Sequence, residues 1–84
     1  MAKKKAPAKT KERRYDWAII NGENDKVVDQ GILNIPEEEL ESALADVAQD
    51  ALDERPNLEA DGLIIIVGRE YEVIAEQVKV KLMD

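Results

Sequence analysis

The side chains of this 84-residue chain that could do chemistry are mostly carboxylates, 19 in all. A paired acid/base site needs two carboxyls in unlike, partly desolvated surroundings. Glu37, Glu38, Glu39, Glu41, Asp46, Asp50 and Asp53 are spaced instead as the start and polar side of an amphipathic helix. A charge run in that setting reads as a solvated face. Nucleophilic catalysis has little to work with. The only serine is Ser42, the only threonine is Thr10, and there is no histidine to activate either. With no cysteine, disulfide frameworks, thiolate metal sites and thiol nucleophiles are excluded. The expectation is a protein that is not an enzyme, with no catalytic, cofactor or metal residues.

Asn21-Gly22-Glu23-Asn24-Asp25 offers oxygen ligands of the kind calcium takes. It departs from the EF-hand pattern. The glycine is misplaced, and Ile32 stands eleven residues after Asn21, where a bidentate glutamate belongs. The same residues are turn formers, and a hairpin turn accounts for them. Gly62 and Gly68 flank an aliphatic run without the following Gly-Lys-Ser/Thr of a phosphate loop, so they read as punctuation.

The charge is unevenly placed. Lys3, Lys4, Lys5, Lys9, Lys11, Arg13 and Arg14 against Glu12 give residues 1–14 a charge of +6. The remaining five basic and 18 acidic side chains give residues 15–84 a charge of −13, and the total is −7. The first block has too little apolar content to repay ordering, so it reads as a basic disordered arm on an acidic body. Such arms lie along nucleic acid or acidic protein surfaces. Seven phosphate contacts on a duplex would give a log K against log salt slope of about −6, at ~0.9 per contact. The body repels phosphate over the Debye range of ~8–10 Å. The arm therefore reaches a distant acidic partner, or folds back on its own acidic helix, or leaves the acidic face as the functional surface. Tyr15 and Trp17 adjoin the arm and could stack on bases, but their alternation places them in a strand and its core.

The elements that position these groups follow from periodicity. Tyr15, Trp17 and Ile19 alternate with Asp16, Ala18 and Ile20, which predicts a strand; Val27-Val28 and Ile32-Leu33 predict its hairpin partner, with Gly31 as a bulge or bend. Pro36 at a first helical position, acids behind it, and Leu40, Ala43, Leu44, Val47, Ala48, Ala51 and Leu52 on one stripe predict a helix that Pro56 closes. Leu63-Ile64-Ile65-Ile66-Val67 reads as a strand stopped by Gly68. Residues 71–82 read as one last strand, with Ile74, Val78, Val80 and Leu82 on one face and Lys79 and Lys81 on the other. The expected fold is α+β, in the order ββαββ, with a mixed or antiparallel sheet and one amphipathic helix on one face.

One helix covers only one face of a sheet, yet residues 63–67 are aliphatic on both. A second copy, a different partner or strong sheet curvature would cover the other. A body of about 70 residues without a disulfide is near the lower limit for an independent core, and association is a common remedy. Ile19, Ile20, Leu63, Ile64, Ile65, Ile66 and Val67 are therefore the interface candidates. Glu41, Asp46, Asp50 and Asp53 are the acidic-face candidates. The seven arm cations are the candidates for partner binding.

The leading expectation is a non-enzymatic structural or assembly protein, docking on a larger assembly through the basic arm and an apolar sheet face. A small virion capsid-associated or decoration protein is one example. One alternative is a small acidic inhibitor or regulator of a nucleic-acid enzyme, acting through its helix face. The other is a nucleic-acid-binding accessory protein, acting through the arm. A protein partner or self-association is expected, nucleic acid enters only through the arm, and no small-molecule substrate is expected. No apolar stretch follows the basic start and no run is long enough to span a bilayer. The expected location is cytoplasm or virion, neither secreted nor in a membrane.

Overall fold

The computed structural model describes residues 11–83. Lys3, Lys4, Lys5 and Lys9 of the arm lie outside the described residues. Strand β1 (Glu12–Asn21) turns back into β2 (Lys26–Pro36). A single 3-10 turn, Glu37–Glu39, leads into helix α1 (Leu40–Glu54). A second, Ala60–Gly62, leads into β3 (Leu63–Ile66), followed by β4 (Glu70–Ile74) and β5 (Lys79–Leu82). The five strands form one sheet in the order β2-β1-β3-β4-β5, antiparallel throughout. The fold is α+β, with α1 on one face.

Alternation along the strands sorts the side chains. Trp17 and Ile19 of β1, Leu63 and Ile65 of β3, Tyr71 and Val73 of β4, and Val80 and Leu82 of β5 belong to the cluster under α1. The helix inserts Leu40, Leu44, Ala48 and Ala51, all buried, at the spacing of one stripe. Ala48 and Ala51 are small, which lets the backbone approach the sheet. The helix ends as its charges favour: acids fill the first turn, and Arg55 donates from Nη1 to the Ala51 carbonyl at 3.5 Å.

Four sequence expectations are corrected. Pro36, expected at a first helical position, is instead the extended last residue of β2, and α1 begins at Leu40 after the 3-10 turn. Residues 71–82 are two strands, so the described residues form a sheet of five strands in the order ββαβββ. Val73 opposes Val80 and Ile74 opposes Lys79, which puts Ile74 on the face away from Val80 and Leu82. The reversal at residues 75–78 uses left-handed backbone at Gln77 and Val78 (φ 60° and 48°) and a bond from Val78 N–H to the Ala75 carbonyl. No glycine, proline or asparagine marks it.

Glu12, Arg13 and Arg14, assigned by composition to the arm, open β1 opposite Pro36, Ile35 and Asn34. A ladder partner supplies the hydrogen bonds that composition cannot show. Gly31 is not the bulge. The register shift lies at Ile19/Ile20, where Val28 is the extra residue between Val27 and Asp29. Gly31 lies under the Trp17 indole, and a Cβ there would stand 2.6 Å from Trp17 Cζ2.

The Asn21–Asp25 segment is a turn, locked by Asn21 Oδ1 accepting from Glu23 N–H at 2.9 Å and Asn24 Oδ1 accepting from Lys26 N–H at 3.0 Å. Asp25, not Gly22, takes the left-handed conformation (φ 59°).

Candidate docking site on the open face of the sheet

The face of the sheet away from α1 has no covering element among the described residues. Pairing across the ladders assembles it. Val27, Ile20 and Ile64 form one row; Gln30, Ala18 and Ile66 form the next; Ile32 sits beside Asp16. Glu70, Glu72 and Ile74 of β4 and Lys79 and Lys81 of β5 continue it. The aliphatic side chains thus concentrate on β2, β1 and β3, and charges flank them on β4 and β5 and at Glu12, Arg14 and Asp16 of β1. Val27, Ile32 and Ile66 are exposed at 57%, 52% and 37%, while Ile20, Ile64 and Ile74 are half-buried.

The charges of this face nearly balance. Arg14, Lys79 and Lys81 stand against Glu12, Asp16, Glu70 and Glu72, with Arg14 Nε 3.5 Å from an Asp16 carboxylate oxygen. The exposed side of α1 is different: Glu41, Asp46, Asp50, Asp53 and Glu54 are all exposed there, and Arg55 lies 3.5 Å from Glu54. The four acidic-face candidates are therefore where the helical period put them. Asp53 accepts from Gln49 Nε2 at 2.8 Å.

The interface candidates divide between the two faces. Ile20, Ile64 and Ile66 belong to the open face. Ile19, Leu63 and Ile65 are buried in the core, and Val67 packs against that core. A strand's period of two forbids neighbours from sharing a surface. Val27, Ile32 and Ile74 were not among the candidates, although the hairpin register places them beside those that remain.

Of the arm cations, Lys11 and Arg13 line a cleft of about 600 Å³ between the start of β1, the start of α1 and the β4–β5 end of the sheet. Its other charged groups are Arg69 and the acids Glu37, Glu38 and Glu41. Arg69 also lies over the Tyr71 ring, 5.9 Å from its centre. Mixed signs at similar density give the cleft no net pull on an anion. A smaller hollow of about 260 Å³ brings Asn21 and Glu23 near Asn57, Glu59 and Asp61. Its oxygens are partly engaged, since Asp61 Oδ1 accepts from Ala75 N–H at 3.0 Å. Among the described residues no cluster of Asp and Glu has the geometry to hold a metal ion. No helix among them is long and apolar enough to cross a membrane.

Tyr15 and Trp17 point under the sheet, towards α1. The Tyr15 hydroxyl and Trp17 Nε1 are buried without a hydrogen-bond partner, and both half-buried rings pack against the core. No family model matches the chain, and neither curated proteins nor solved structures give a significant match.

Proposed function

We propose that the protein is a non-enzymatic assembly component that docks a protein partner on the open face of its sheet. The supporting observation is the layout of that face. Aliphatic side chains are contiguous over three strands, and their charged rim is close to neutral in a body of charge −13. Burying apolar area of this kind drives association at about 25 cal/mol per Å², and a balanced rim avoids the repulsion the helix side would impose. The occupant is thus a protein surface that is itself aliphatic and weakly charged. The cations ahead of β1, Lys3, Lys4, Lys5, Lys9 and Lys11, add a salt-sensitive contact to an acidic part of the same assembly. A small virion component is one setting in which both contacts would operate.

The test is a pull-down from the native source with three proteins. Wild type recovers a defined partner, Ile66→Glu loses it with an unchanged circular dichroism spectrum, and a chain begun at Lys11 recovers less of it at low salt, with a recovery that depends less on salt than that of wild type. Retention by Ile66→Glu overturns the reading.

A second reading has its own observation. Asp46, Asp50 and Asp53 form an exposed acidic strip on α1, with Glu41 exposed on its flank, a surface suited to a basic groove on a nucleic-acid enzyme. Converting those four to their amides abolishes binding under this reading and leaves it intact under the first. A third role, nucleic-acid binding through the arm, is removed if no duplex is bound even at low salt.

A further inference from the structure

We infer that β2 is a self-pairing edge: two copies of the chain join through their β2 strands, antiparallel about a two-fold axis at Ile32, into one continuous sheet. The inference concerns an edge of the sheet and stands apart from the open-face reading.

Among the described residues, β2 is the outermost strand of its side and pairs only with β1. A long unpaired edge is a template for another strand unless charge, proline or a bulge blunts it. In β2 those devices sit only at the ends. The bulge at Val28 interrupts one end and Pro36 the other. Between them residues 29–35 run regularly, and from residue 30 to residue 35 no side chain is charged. That is a neutral window in a chain that is 37% charged. The two most exposed large aliphatic residues described, Val27 and Ile32, are both on this strand.

The register follows from the strand itself. The Gln30 N–H donates to Asp29 Oδ1 at 2.8 Å, so it is turned away from β1. By the two-residue period, the backbone groups of Ile32 and Asn34 are turned outward too. Antiparallel pairing that uses all of residues 29–35 has its midpoint at Ile32. Ile32 then opposes Ile32 of the partner subunit, and Gln30 opposes Asn34 of the partner subunit. Aliphatic meets aliphatic and amide meets amide. A midpoint at Leu33 would instead set Ile32 against Asn34. The occupant is a second copy because the strand is self-complementary about that midpoint. Asp29 holds the Gln30 N–H and competes with pairing, which makes the dimer weak and concentration-dependent.

The experiment uses the full chain, which has no native cysteine. Ile32→Cys and Asn34→Cys are compared under mild oxidation, with circular dichroism confirming that each folds. Opposed residues in a hydrogen-bonded antiparallel pair have Cα atoms about 5.5 Å apart, within the roughly 4.4–6.8 Å that a disulfide spans. The two copies of position 34 are offset by roughly 14 Å, at ~3.4 Å per residue. Ile32→Cys is expected to cross-link at least tenfold faster than Asn34→Cys. Sedimentation equilibrium of wild type is expected to show dimer at about 100 μM, and Ile32→Lys to remain monomeric. Equal cross-linking rates, no cross-linking at either position, or a wild type monomeric at that concentration would each overturn the proposal.

Discussion

The two faces of this sheet are built from the same strands and nearly the same residue types, yet they have opposite fates. Ile65 and Ile66 are sequence neighbours on β3. Ile65 is wholly buried under α1, and Ile66 is 37% exposed on the other side. What separates them is the single helix, which can cover one face only. The covered face has no buried charged group among the described residues, while its outer helical surface is densely acidic. The open face keeps its charges at the rim and close to balance. The difference shows that apolar content does not by itself mark a core, since the layer that covers a side chain decides whether it is core or contact surface.

That contrast can be broken at several points. The largest effect is expected at β3. Ile65→Ala should cost about 2–5 kcal/mol in urea unfolding, since it removes packed methyl groups and leaves a cavity. Ile66→Ala should stay within ~1 kcal/mol, because the site has little to lose. Similar losses at both positions would show that something covers the open face in solution.

Gly31→Ala probes the face under α1 further along. Its Cβ would meet Trp17 at 2.6 Å, so the indole must shift, at ~1–3 kcal/mol. The same melt reads it, and an unchanged midpoint would mean the indole does not rest on Gly31.

Tyr15→Phe removes a buried hydroxyl that has no partner. It should be neutral or stabilising by up to ~1 kcal/mol, since no hydrogen bond is lost and a desolvated polar group is. A clear loss of stability would reveal a partner for that hydroxyl.

The smallest effect belongs to the acidic strip. Replacing Glu41, Asp46, Asp50 and Asp53 by their amides should move stability by no more than ~0.5 kcal/mol per site. It should also reduce the dependence of the melting temperature on salt, because screened self-repulsion is what those charges contribute.

Legibility followed the strength of the local signal. The helix could be read from Leu40 to Leu52 because its stripe repeats over several turns and acids mark its start. The acidic strip came with it, as the complement of the same period. The β3 run could be read as a strand, but treating its residues as one interface ignored the period of two. The reversal at residues 75–78 was hidden because Gln77 and Val78 adopt a left-handed backbone that their side chains do not advertise. Residues 12–14 looked like arm because composition describes side chains, whereas β1 is extended there by backbone pairing with β2.

The sequence by itself determined the class of the object: one small α+β body, acidic, with a basic start and one amphipathic helix. Those properties follow from composition and from periods of 3.6 and 2, which are local. The tertiary structure decided the number of strands, the order that makes β2 an edge, and which isoleucines are core. It also placed Val27, Ile32 and Ile74 with Ile20, Ile64 and Ile66 on one surface. These outcomes depend on register and on which strands become neighbours, and both are set by contacts between residues far apart in the chain.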